Sequence, residues 1–333
     1  MKITRVLFLT LAAASIAACS NDKEEEITGQ KKDLIIEFNL PETVNTRAVE
    51  TPVSNGTSPT LENIVLNFDG GTPSVTLTKA DLTDENKATV QVNDQTRNVT
   101  SMIANSVTGV DISDIHTYQG KSLITEIPLY AGNAAISDGS VTLSPKAYVA
   151  RIEILGGKDI TPASSSYSKI QVTDVYINNY YKSYTLGAAT GTSTVKVAEA
   201  AWATTYKAGN PMYNTITTSD WNSKCAAYQI FPANTAATLP EITLKLSYTK
   251  KGVSTVGYLT IRKFKKGNAD LTAMEAGKIY KLDVSTIGSL FKEEPGTGEP
   301  TDPTDPTPGK PKTDLAITVT VTAWTAENIT PNI

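Results

Sequence analysis

Short runs in which every second residue is apolar recur along the chain. The first is "DLIIEFNL" (33–40), with Leu34, Ile36, Phe38 and Leu40 on one parity and Glu37 and Asn39 on the other. A side-chain period of two is the mark of a β-strand with one buried face. Similar alternating or β-branched runs follow at 63–68, 74–78, 88–92, 148–155 and 169–181, and later at 241–249, 256–264 and 278–287. Clusters of Gly, Pro, Asn and Asp separate them, as in "DGGTP" (69–73) and "FPANTAATLP" (231–240). Many short strands punctuated in this way predict an all-β chain built from β-sandwiches. Only 111–118 and 198–208 offer a helical turn or two.

The last segment, "DLAITVTVTAWTAENITPNI" (314–333), repeats the pattern cleanly. Leu315, Ile317, Val319, Val321 and Ala323 share one face, and Thr318, Thr320 and Thr322 the other. Ahead of it lies "EEPGTGEPTDPTDPTPGKPK" (293–312), the body of a linker spanning 291–313. Proline removes backbone donors and favours an extended chain, so at about 3.1 Å per residue this segment could reach on the order of 60 Å. Two readings stay open for the final strand. It folds back into its own domain, or it is a tethered strand whose unpaired edges join another chain.

The opening and closing strands match in register. "DLIIEFNL" and "DLAITVTV" both begin Asp-Leu and place aliphatic or aromatic side chains at every second position. Either could bond a sheet edge through its main chain and fill the same row of pockets. Arg47 stands in the loop after the opening strand, so one cut between Arg47 and Ala48 removes that strand and leaves every other element intact. Arg97, in "NDQTRNVT", sits in a similar loop but lacks that advantage of position.

The N-terminus reads as an export signal. Lys2 and Arg5 precede a short apolar run, Val6 to Ala14, and residues 1–18 end in small residues before Cys19. The run is shorter than the roughly 20 residues of a spanning helix. Cys19 resembles the lipidated cysteine of a bacterial lipoprotein, and the acidic "SNDKEEE" follows it. Cys225 is the one other cysteine, which with Cys19 lipidated excludes a disulfide framework and a cysteine-based zinc site. A net charge of −4 with scattered lysines gives no nucleic-acid footprint. One histidine, His116, leaves no His-pair metal site, and no phosphate loop, dinucleotide fingerprint or nucleophile elbow is present. Neither a cofactor nor a catalytic residue is expected. Trp202, Tyr206, Tyr213 and Trp221 gather aromatics that could bind a glycan or pack a sandwich edge.

Taken together, the chain resembles the fimbrillins, the pilin family of Bacteroidales type V fimbriae. The resemblance covers essentially the whole chain. It rests on Cys19, on "TRA" around Arg47 after a hydrophobic strand, and on "YVARIEI" (148–154), "YQIFPAN" (228–234), "LTAMEAGKIYKLDVST" (271–286) and "ITVTVTAW" (317–324). It implies two transthyretin-like sandwiches in tandem, 48–145 and 146–290, with a boundary near Ser144-Pro145. It also implies export to the outer membrane surface on a lipid at Cys19 and a propeptide, 19–47, removed by an arginine-specific protease. Assembly would follow by strand exchange: the 33–40 strand leaves, and residues 315–324, ending at Trp324, enter a neighbouring copy or related subunit. A shaft position follows from carrying both features. The alternatives are a tip or anchor subunit, or a monomeric surface lipoprotein that binds glycans or host proteins.

Overall fold

Leu34, Ile36 and Phe38 point inward from the strand Lys31–Phe38 and are buried, whereas Asp33, Ile35 and Glu37 face outward. The strand begins two residues earlier than its apolar pattern, because Lys31 and Lys32 continue the ladder opposite Asn93 and Val92. This computed structural model describes residues 30–40, 49–50, 61–83, 85–105, 128–184, 190–210, 212–217, 221, 225–312 and 315–323. The export signal, Cys19, Arg47, Ala48, His116, the 111–118 stretch and Trp324 lie outside the described residues.

The opening strand is the middle of a three-stranded sheet. It runs antiparallel to Lys87–Asn93 and parallel to Ser140–Leu143. A second sheet takes Lys146–Ala147, Leu129–Ala131, Asn98–Ala104, Asn63–Phe68 and Val75–Thr78 in spatial order. Ile64, Leu66, Val99 and Met102 from this sheet join Leu34, Ile36, Val90 and Val141 in the apolar core. Strand pairing changes partners just past the expected boundary: Ala147 still pairs with Leu129, and Ala150 already pairs with Ile230.

Residues 150–323 supply nine strands of the larger, ten-stranded sheet. On one side Tyr213–Thr215, Tyr167–Asn178, Glu241–Lys250 and Val253–Lys266 follow one another; on the other stand Lys278–Asp283, Ala150–Leu155 and Cys225–Ile230. Leu315–Ala323 joins the two sides. Its first residues run parallel to Ile261–Lys265, and Val319 to Ala323 run antiparallel to Lys278–Leu282. Within "YVARIEI", Arg151 and Glu153 are buried as an ion pair, with Nε and Oε1 2.8 Å apart. The fold is all-β, and the one α-helical turn among the described residues, Trp202–Thr205, falls in the 198–208 stretch where a turn was expected.

One connection departs from this division. After the opening strand the chain crosses to the larger sheet, where Val49 and Glu50 pair with Ala226 and Cys225. It then returns for Asn63–Phe68.

Candidate functional site

The opening strand fills a slot defined on both edges. Main-chain bonds run from Ile35 N to Gly139 O (3.0 Å), Phe38 N to Asn86 O (3.0 Å) and Asn39 N to Leu143 O (2.8 Å). Leu34, Ile36 and Phe38 fill the apolar row, and Leu40 packs against its end. At the other end Lys32 Nζ donates to Asp94 O (3.2 Å) and Thr96 O (3.1 Å). Gln91 Nε2 donates to Asp33 on the outer face. The Lys32 anchor was not foreseen, because its acceptors are carbonyls of a turn about sixty residues away in sequence.

The terminal strand occupies a different slot. Ile317 and Val319 are buried, Leu315 and Val321 are half-buried, and Ala316, Thr318 and Thr320 face solvent. The inward parity is the expected one, but it lies between Val253–Lys266 and Lys278–Asp283, not beside Lys87–Asn93. Within one chain the two similar strands therefore serve separate sheets. Of the two readings left open by the pattern, the strand here folds into its own chain.

The proline-rich segment is seated as well, in contrast to the extended reach expected of it. Pro300–Thr301 pair with Lys292–Glu293, and residues 304–309 meet Val253–Lys266 at Gly257, Tyr258 and Arg262. Tyr258 N and Asp305 O are 2.8 Å apart and Asp305 N and Tyr258 O 2.9 Å, a reciprocal main-chain pair. The Asp302 carboxylate accepts from Tyr248 Oη (2.8 Å) and from Thr304 Oγ1 (2.8 Å) and N (3.1 Å), with Lys250 Nζ 3.4 Å away. Arg262 Nη2 donates to Gly309 O at 3.1 Å. Gly257 leaves room for this seat, since a Cβ there would lie 2.1 Å from Thr304 Oγ1. The prolines at 303, 306 and 308 remove donors but spare those of Asp305, which bonds Tyr258 O, and of Thr304 and Thr307, which bond the Asp302 and Asp305 side chains within the segment.

Burial works against ionisation of Asp302, yet hydrogen bonds from Thr304 and Tyr248, with Lys250 nearby, hold its carboxyl below the usual range. A depressed folded-state pKa stabilises at any pH above the unfolded value of about 3.9, and that contribution is lost as pH falls through the folded value. Acid should therefore loosen this segment before it loosens the buried sheets. Hydrogen exchange at the Tyr258 and Asp305 amides should lose protection relative to the Leu282 amide below about pH 4. An Asp302→Asn chain should lack that response; an unchanged acid profile in the variant would assign the effect elsewhere.

The aromatic group packs. Tyr176 is its hub, with ring centroids 5.4 Å from Trp202, 5.5 Å from Tyr206 and 5.0 Å from Tyr213. Trp202 Nε1 donates to Val197 O, Tyr206 Oη to Ile177 O and Trp221 Nε1 to Val172 O. Burial raises the Tyr206 phenol above its ordinary value. Trp202, Tyr206 and Trp221 are buried, and only Tyr213 of the four is partly exposed. Among the described residues no group of three or more His, Cys, Asp or Glu side chains is close enough to hold a metal ion. No described helix is long and apolar enough to cross a membrane.

No protein-family model matches the chain. No curated protein matches it either. Solved structures do. A candidate cell adhesion protein of Bacteroides eggerthii aligns over 89% of this chain and 97% of its own, at 14% identity and a TM-score of 0.49. The tip fimbrial protein Mfa3 of Porphyromonas gingivalis aligns over 76% of this chain and 94% of its own, at 9% identity and a TM-score of 0.36. The fimbrial anchor protein Mfa2 of the same organism aligns over 76% and 91%, at 10% identity and a TM-score of 0.30. These neighbours are described as cell adhesion and fimbrial proteins.

Proposed function

We propose that the chain is a structural subunit of a surface fimbria, placed in its shaft and joined to its neighbours by strand exchange. In this reading it is exported and lipidated on Cys19, held at the outer membrane, and cut between Arg47 and Ala48 by an arginine-specific protease. The strand carrying Leu34, Ile36, Phe38 and Leu40 then leaves. A neighbour's terminal strand, equivalent to Leu315, Ile317, Val319, Val321, Ala323 and Trp324, takes the slot. The chain works by assembly, and no catalytic step is assigned to it. The tandem transthyretin-like sandwiches belong to the same proposal, as do other copies and related subunits as partners. Contact with a host or bacterial surface follows from the place of such a fibre on the cell.

One observation carries the reading. The chain on the two sides of the candidate bond is pinned to different sheets: Lys31–Phe38 between Lys87–Asn93 and Ser140–Leu143, and Val49–Glu50 on Cys225–Ala226. A cut at Arg47 severs no described hydrogen bond, yet it turns the opening strand into a separate piece held by noncovalent contacts alone. A cut at Arg97 would fall between two strands held in different sheets, Lys87–Asn93 and Asn98–Ala104, and would free neither.

The seated terminal strand favours a second reading, a closed monomeric lipoprotein that keeps all its strands. The two separate on the cut chain. Treating the purified chain with an arginine-specific protease should release the fragment ending at Arg47 as polymers form, seen by size-exclusion chromatography with mass spectrometry. A fragment that stays with a monomeric body after complete cleavage supports the closed monomer.

A further inference from the structure

The slot of the opening strand has two features that this chain's own terminal strand does not meet. The first is the place of Phe38, whose ring is 2% exposed within the core. The second is the carbonyl pair Asp94 O and Thr96 O, which accept from Lys32 Nζ at 3.2 and 3.1 Å. Arg97 Nη1 donates to the same two oxygens at 2.5 and 3.2 Å, and Asp94 Oδ1 is buried with no hydrogen-bond partner. This end of the slot is thus rich in acceptors, and the opening strand brings it a cation on its inward parity.

Laid in the same register, "DLAITVTV" puts Leu315 and Ile317 where Leu34 and Ile36 stand. It puts Val319 in place of Phe38 and Thr313 in place of Lys32. Shifting the register does not repair this. A strand keeps its parity unless a bulge intervenes, so an odd-numbered inward face stays odd-numbered. Between Lys312 and Trp324 the odd positions hold no aromatic residue and no cation. The even positions hold both, but with Asp314, Ala316, Thr318, Thr320 and Thr322 between them, which would place a carboxylate and hydroxyls in the apolar row. Reversing the strand direction leaves the two parity sets as they are.

We infer that the slot is matched best to the terminal strand of a related but different subunit, and that a copy's own tail enters it as the weaker of the two donors. The better-matched strand's inward face carries a Lys or Arg and, six positions on, an aromatic residue, with aliphatic side chains between. This rests on the proposed strand exchange and names the partner within it. A copy's own tail leaves a void where the Phe38 ring stood and leaves the two carbonyls to Arg97 alone. A closely packed interior resists both losses.

Two grafts in the full-length chain test the match. The first gives residues 32–40 the sequence of 313–321, changing Lys32→Thr, Ile35→Ala, Glu37→Thr, Phe38→Val, Asn39→Thr and Leu40→Val. The second carries the same changes but retains Lys32 and Phe38. Hydrogen exchange is read at the amides of 87–93 and 140–143, with those of 278–283 as the reference. The first graft should lose on the order of 100-fold in protection, or fail to order that sheet, and the second should come within about 10-fold of the natural chain. A first graft as protected as the natural chain overturns the inference, because the slot then fits this chain's own tail equally well. A second graft no better than the first also overturns it. Neither graft needs the strand to leave, so the outcome does not depend on whether cut chains assemble.

Discussion

A chain carrying Arg47→Ala is expected to reach the surface, stay closed and form no fibres. The reason is competition for one slot. The opening strand buries Leu34, Ile36 and Phe38, each worth about 1.5–3 kcal/mol relative to exposure. While the chain is intact, the short connection to Val49 also holds the strand near its slot at an effective concentration of about 1 mM. A neighbour's strand at about 1 μM must then bind roughly 10³-fold more tightly to displace it. Cleavage abolishes that advantage and leaves the two strands to compete on fit. Electron microscopy and sedimentation of sheared surface material read the result. Fibres of normal length from the Arg47→Ala chain would remove the cut from the account.

Deleting residues 314–333 is expected to weaken the body as well as stop assembly. From the sequence alone the deletion leaves a sound subunit that lacks a donor. The structure makes the strand a joint between the two sides of the larger sheet, with Ile317 and Val319 fully buried. Those two side chains alone represent about 3–6 kcal/mol, against a usual total of about 5–15 kcal/mol for a domain. Thermal unfolding should therefore move to markedly lower temperature, and a peptide of residues 312–333 should restore much of the loss. A truncated chain with an unchanged unfolding temperature would mean that the strand is not integral to this sheet. The expected result also constrains assembly. A tail that leaves its own sheet gives up that burial, so it moves only to a slot that fits it comparably well.

The strand interiors were legible because burial follows parity. Leu34, Ile36 and Phe38, and later Ile317 and Val319, are inward where the alternation put them. Their destinations were not legible. Two strands beginning Asp-Leu read as rivals for one slot, and nothing local records that one pairs with Lys87–Asn93 and the other with Lys278–Asp283. The seat of the proline-rich segment was hidden for the same reason, since Asp305 meets Tyr258, far away in sequence. Local turn chemistry did carry a hint. "DPTDPT" places Asp two residues before Thr twice, and Thr304 N and Thr307 N donate to Asp302 and Asp305 accordingly. The aromatics of 202–221 could bind a ligand or pack a sandwich edge, with packing the favoured reading, and the structure packs Trp202, Tyr206 and Tyr213 around Tyr176, a partner the local sequence does not name.

The central claim is that the opening strand is a temporary occupant. N-terminal sequencing of polymer sheared from the cell surface tests it most directly. The account predicts a single start at Ala48, with no peptide from 33–40 in the washed polymer. A lipid-bearing start at Cys19 in material of monomer size, with the opening strand still in place, would contradict it.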